Sequence, residues 1–161
     1  MKKELLHKLR EIKLFLFDLE GVLLHNADSL DEKSLIEFAK QIEMAAEKFD
    51  NHKFTMGIVT ARKRDRLINE LDKIDKCTVL TTSVEKVEAV EKLAAKRKID
   101  FSNIFYMGDE VLDIPLLKKC GLSAAPKSAI RDVKRVVDFT MDGKSVNSLF
   151  NELFLLIDKA N

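Results

Sequence analysis

Apolar residues recur along the chain in two alternating rhythms. Short, mostly apolar runs occur at Leu14-Phe15-Leu16-Phe17, Phe54 to Val59, Thr78-Val79-Leu80, Ile104 to Met107, Leu122-Ser123-Ala124 and Val137 to Thr140. Runs of this length suit strands buried on both faces of a sheet. Between them, apolar residues return every third or fourth position, the helical rhythm. Residues 1–12 carry Leu5, Leu6, Leu9 and Ile12 in this way, and a capping-box pattern at Ser29-Leu30-Asp31-Glu32 opens a second helix. Its inner face is expected at Leu35, Ile36, Ala39, Ile42, Ala46 and Phe49, before Asp50-Asn51-His52-Lys53 breaks it. A basic helix is expected after Thr60, with Leu67, Ile68 and Leu71 inward, and another over 84–98 on Val84, Val87, Val90, Leu93 and Ala94. Leu112 to Lys119 follows with Pro115 in its first turn, where proline is tolerated. Pro126 is expected to open a further helix, and 144–159 closes the chain on Val146, Leu149, Phe150, Leu153, Leu156 and Ile157.

Strands alternating with helices imply right-handed crossovers and a mostly parallel sheet. The expected fold is a single three-layer α/β/α domain over 1–161, with a Rossmann-like sheet and its helices within 14–140. No repeat, low-complexity tract or linker interrupts it.

Composition narrows the function classes. The 161 residues suffice for one domain with a real core. Lys plus Arg (28) nearly cancels Asp plus Glu (27), so no long-range field argues for nucleic acid or an acidic membrane. With no tryptophan and one tyrosine, a base-stacking platform is poorly supplied. No apolar run approaches a membrane span, and the N-terminus lacks the apolar segment of a signal peptide. Cys77 and Cys120 are isolated, which points to reduced thiols in the cytoplasm and speaks against zinc.

Polar residues cluster where the strands end. Asp18 and Glu20 precede Gly21, which permits a sharp turn; Thr60 ends the second strand; Lys86 precedes the fourth; Asp109, Glu110 and Asp113 follow it. In an open parallel sheet these ends converge on one crevice. Together they offer a nucleophile, a hydroxyl, a cation and oxygen ligands for a hard metal, the equipment of phosphoryl transfer. Each also has a plainer reading. The acids could be solvated or favoured by a helix dipole, Thr60 could cap a helix, and Lys86 could be a surface lysine. The run Arg62-Lys63-Arg64-Asp65-Arg66 reads as a solvated face, and His7, His25 and His52 as surface residues. His25 is near enough to the first strand to be kept as a substrate contact.

The order Asp-x-acid, Thr, Lys, Gly-Asp-x-x-x-Asp resembles the haloacid dehalogenase (HAD) phosphohydrolase superfamily, from Leu14 onward. Phosphoacceptor receiver domains use similar groups in a different order. Asn103-Ile104-Phe105-Tyr106-Met107-Gly108-Asp109-Glu110-Val111-Leu112-Asp113 and Gly121 to Ala129 are similar to the group containing 3-deoxy-D-manno-octulosonate 8-phosphate phosphatases. The phosphatase-like domains attached to acylneuraminate cytidylyltransferases belong to the same group. The spacings leave no room for a large cap domain.

The resemblance implies an aspartyl-phosphate formed on Asp18 and a Mg²⁺ ion held by Asp18, the backbone carbonyl of Glu20 and Asp109. It implies that Thr60 and Lys86 hold the phosphoryl oxygens, with Glu110 supporting the acidic cluster. Asp113 would contact the metal directly or through water, or orient Lys86. Arg62, in Thr60-Ala61-Arg62, matches the family's Thr-Gly-Arg and is placed near a small phosphorylated substrate. The open site is expected to be covered by a neighbouring subunit of a homo-oligomer or by a macromolecular substrate.

Three departures stand out. Glu20 replaces the family's acid/base aspartate, and an extra methylene displaces its carboxyl by roughly an ångström, a shift worth ~10²-fold in rate. The segment His25 to Ser29 is too short for the family's oligomer-building hairpin. Asp142 to Ser148 lacks the arginine and glutamate of the family's Gly-Gly-x-Gly-Ala-Val-Arg-Glu. Two readings follow: a Mg²⁺-dependent phosphatase of a small phosphomonoester, such as a sugar phosphate, or a catalytically impaired relative serving in binding or assembly.

Overall fold

The computed structural model describes residues 3–25, 30–82 and 85–161. Helix α1 (Lys3–Arg10) leads into β1 (Leu14–Asp18), α2 (Glu32–Asn51), β2 (Thr55–Thr60), α3 (Arg66–Asp72) and β3 (Cys77–Thr81). The second half runs α4 (Lys86–Arg97), β4 (Ile104–Met107), α5 (Ile114–Lys119), β5 (Leu122–Pro126), α6 (Arg131–Val136), β6 (Phe139–Met141) and α7 (Val146–Ala160). The six strands form one sheet in the order β3-β2-β1-β4-β5-β6, all neighbours parallel. The expected α/β/α architecture is observed, and α2 is the one helix between β1 and β2 among the described residues.

Central β1 is buried along its whole length, and its alternation sorts two cores. Phe15 and Phe17 face α1, α2, α3 and α7, where Phe49, Phe105, Phe150 and Phe154 join them at ring separations of 4.7–6.1 Å. Leu14 and Leu16 face α4, α5 and α6 through Val90, Leu93, Leu116, Leu117 and Val133. A fully buried phenylalanine contributes ~1.5–3 kcal/mol, so the first core clamps the sheet firmly. Asp18 shares the parity of Leu14 and Leu16, which directs it toward the α4 side.

Several elements differ from expectation. Asp31 caps α2 by accepting the Ser34 N–H at 2.8 Å, whereas Ser29 lies outside the described residues. On α2, Ile36 is 41% exposed, while Phe38 and Ala45 are buried, because the wide contact with sheet and α7 rotates the buried stripe. Residues 62–64 form a loop rather than a helix. Helix α3 begins at Arg66 because Asp65 caps it. Helix α4 starts at Lys86, and the expected Val84 lies outside the described residues. Pro126 ends β5 instead of opening a helix, since the ladder continues through Lys127 N–H to Met141 C=O and α6 waits until Arg131. Strand β6 is shifted toward Met141 because the Asp138 carboxylate turns aside to take the Ser123 N–H and hydroxyl. No described helix is long and apolar enough to cross a membrane.

Candidate active site

Strand β1 delivers Asp18 to the carboxyl edge of the sheet, and α4 begins there with Lys86. Their side chains meet at 2.9 Å, both almost wholly buried. A lone ammonium would not tolerate that environment; a second carboxylate, Asp113, accepts from Lys86 at 2.7 Å. The third contact of the ammonium is the Tyr106 hydroxyl at 3.3 Å, and Tyr106 in turn donates to Asp113 Oδ1 at 2.6 Å. Asp113 Oδ2 accepts the backbone N–H groups of Asp109 and Glu110. Both oxygens of Asp113 are therefore committed to holding Lys86 and the loop after β4. Gly108 makes that loop possible, because a Cβ there would lie 2.6 Å from the Asp113 Cβ.

The outer rim is built differently. Thr60, buried at the end of β2, accepts the Arg62 N–H at 3.0 Å through Oγ1. Arg62 donates from Nε to Asp65 at 2.7 Å and from a terminal nitrogen to Glu20 at 2.9 Å. The other oxygen of Asp65 caps α3 through the Ile68 N–H. Glu20 is about half exposed. Glu20, Thr60 and Arg62, with Ala61, Lys86, Glu110, Leu112 and Asp113, line a cavity of about 270 Å³ whose floor is Asp18.

Electrostatics separate floor from rim. Burial pushes the Asp18 carboxyl up to about 8; Lys86 opposes this, and Asp113 and Asp109 add to it. Burial works against the charge on Lys86, yet Asp18 and Asp113 outweigh it and raise its pKa above the ordinary lysine value. Asp109 is pushed up to about 6, first by burial. Such crowding of carboxylates is what a divalent cation relieves. The residues fit one. Carboxylate oxygens of Asp18, Asp109 and Asp113 lie within 4.8 Å of one another, Asp113 held by its own hydrogen bonds, and Asp109 Oδ1 is buried with no hydrogen-bond partner among the described residues. Gly21, at φ +85°, leaves the space Asp109 occupies, since a Cβ there would lie 1.8 Å from Asp109 Oδ2. An all-oxygen donor set suits a hard cation.

Of the sequence candidates, Asp18, Glu20, Thr60, Arg62, Lys86, Glu110 and Asp113 share this cavity, with Asp109 beside Asp18. His25 does not join them; it lines a separate cavity of about 560 Å³ with Lys127, Ser128, Gly143 and Lys144. Two residues escaped the sequence reading. Tyr106 looked like one more apolar position of β4, although a tyrosine hydroxyl in a buried strand must find a partner. Asp65 was hidden in a charge run, and its place before an apolar helix pattern was the available signal.

Residues 75–153 match the family model of haloacid dehalogenase-like hydrolases. A phosphoglycolate phosphatase from Methanopyrus kandleri is 30% identical over 78 residues, covering 48% of this chain and 34% of that protein. The match thus spans about a third of the length of that curated relative. The 3-deoxy-D-manno-octulosonate 8-phosphate phosphatase from Moraxella catarrhalis, solved with magnesium ion, phosphate ion and KDO, superposes with TM-score 0.81 at 21% identity, over 100% of this chain and 94% of that one. The cobalt-bound deoxy-D-mannose-octulosonate 8-phosphate phosphatase from Haemophilus influenzae gives 0.80 at 22% identity, over 95% and 91%. The corresponding octulosonate phosphatase from Yersinia pestis gives 0.81 at 19%, over 99% and 88%. The resemblance drawn from the motifs is borne out: residues 75–153 are haloacid dehalogenase-like in sequence, and the chain has the fold of the octulosonate 8-phosphate phosphatases.

Proposed function

We propose that this haloacid dehalogenase-like chain is a Mg²⁺-dependent phosphatase acting on a small phosphomonoester, with sugar phosphates the leading class. The observation that carries the reading is the buried Asp18–Lys86–Asp113 network beside an Asp109 oxygen with no partner among the described residues. Mg²⁺, held by Asp18, Asp109 and the carbonyl of Glu20, would supply charge neutralisation for the phosphoryl group.

The chain's own residues divide the remaining work. An Asp18 oxygen attacks phosphorus, the P–O bond to the alcohol breaks, and Glu20 gives its proton to the leaving oxygen. Water then attacks the aspartyl phosphate as Glu20 takes its proton, the bond to Asp18 breaks, and inorganic phosphate leaves. Thr60 already accepts the Arg62 N–H, so its own proton is available to a phosphoryl oxygen. Lys86 can transfer its Asp18 hydrogen bond to a phosphoryl oxygen while Asp113 and Tyr106 keep it in place. Asp113 acts by orienting Lys86, and Glu110 supports the loop.

A cavity of about 270 Å³ suits a small ester rather than a folded macromolecule. We place the reaction in the cytoplasm, consistent with two free thiols, with self-association as the means of covering the open cavity. The impaired-module reading is not favoured, because the nucleophile, lysine and metal-ligand positions are all occupied by suitable groups. The test is Mg²⁺-dependent hydrolysis of a phosphoester panel by the natural protein, Asp18→Asn and Glu20→Asp. Turnover by the natural protein that Asp18→Asn abolishes is the expected result. Turnover that appears only in Glu20→Asp would support the impaired module instead.

A further inference from the structure

Resting on the phosphatase reading, we infer that Arg62 is a positioning residue for Glu20, setting the carboxyl whose extra methylene would otherwise misplace it. Among the described residues, Arg62 is held at three points. Its backbone N–H is bound to Thr60 Oγ1 at 3.0 Å, its Nε to Asp65 at 2.7 Å and a terminal nitrogen to Glu20 at 2.9 Å. Asp65 is anchored by capping α3, so the guanidinium is tied to a helix and to the end of β2. Glu20, by contrast, sits in the turn after β1 with half its side chain exposed. A free glutamate there would sample many rotamers, whereas a planar fork held at one edge presents its other edge in one direction. The longer side chain spans to Arg62, and the pair together does what a shorter acid does by length alone. Both residues line the cavity that Asp18 also lines, so the carboxyl is held at the cavity a leaving group would occupy.

The predicted signature is coupling. Arg62→Gln and Arg62→Lys are each made in the natural protein and in Glu20→Asp, and para-nitrophenyl phosphate hydrolysis is measured with Mg²⁺. In the natural background both should lower kcat at least about tenfold, with KM changed little, because misplacing an acid/base group acts on the transition state. With Asp at position 20 the same changes should lower kcat only a few-fold. Equal losses in both backgrounds, or losses carried by KM, would overturn the proposal and make Arg62 a substrate or scaffold residue. A second readout is independent of turnover. In low-temperature ¹⁵N spectra the terminal N–H signals of Arg62 should show restricted rotation in the natural protein and lose it in Glu20→Gln. Unchanged signals in Glu20→Gln would overturn the pairing and leave the phosphatase reading standing. Restricted signals with no turnover in any variant would overturn the phosphatase reading, and positioning for catalysis with it.

Discussion

The two halves of the candidate site hold charge by different physical means. At the floor, Asp18, Lys86, Asp113 and Tyr106 are buried, and every hydrogen bond of the ammonium ends on a residue fixed by a strand or helix terminus. At the rim, Glu20, Arg62 and Asp65 meet solvent, and among the described residues their order comes from one guanidinium gripping two carboxylates. Low dielectric makes the floor strong and unforgiving, since removing one partner strands the others. The rim is screened, so its pairs contribute little to stability and can be altered without unfolding the protein. Floor substitutions should therefore move stability and metal binding, and rim substitutions should move turnover.

The largest effect is expected for Lys86→Met. It leaves Asp18 and Asp113 buried without their cation and should destabilise the metal-free protein by ~3–5 kcal/mol in urea unfolding. A loss below 1 kcal/mol would erase the distinction between floor and rim. Gly21→Ala comes next. A methyl group there collides with the Asp109 carboxylate, so calorimetry should find Mg²⁺ affinity at least about tenfold weaker, since a ligand is displaced from its orientation.

The floor also predicts a pH signature in chelator. Burial holds a proton on Asp18 up to about 8, against 3.8 ordinarily, so the folded state binds more protons between those values. The resulting stabilisation is complete below 3.8 and disappears as pH rises through about 8. Urea unfolding of the natural protein relative to Asp18→Asn should show this downward slope, and an upward slope would contradict it. Tyr106→Phe is expected to have the smallest effect, ~1–2 kcal/mol, for the buried hydrogen bond to Asp113 and the longer one from Lys86 lost while Lys86 still satisfies the Asp113 oxygen.

The place of the site was legible in the sequence because parallel strands end together. Asp18, Thr60, Lys86 and the Asp109–Asp113 segment each follow or precede an apolar run, and the sheet topology leaves them one crevice in which to meet. What escaped was orientation. Tyr106 is the single tyrosine of the chain and reads as core until parity puts it on the side of Leu16 and Asp18. Ile36 was read inward because periodicity does not specify how far a helix rotates against its sheet. Pro126 carries a helix-start signal in isolation, but ladder bonding on either side of it keeps β5 extended. His25 follows the turn after β1 and reaches the neighbouring cavity, a choice of direction that spacing does not encode.

The central claim is that Asp18 takes the phosphoryl group, and the direct measurement is acid-quench mass spectrometry during Mg²⁺-dependent turnover, comparing the natural protein, Glu20→Gln and Asp18→Asn. A phosphoryl adduct on the peptide containing Asp18 is expected, more abundant in Glu20→Gln, where water is not activated, and absent in Asp18→Asn. Turnover that persists in Asp18→Asn, or an adduct on another residue, would contradict the account.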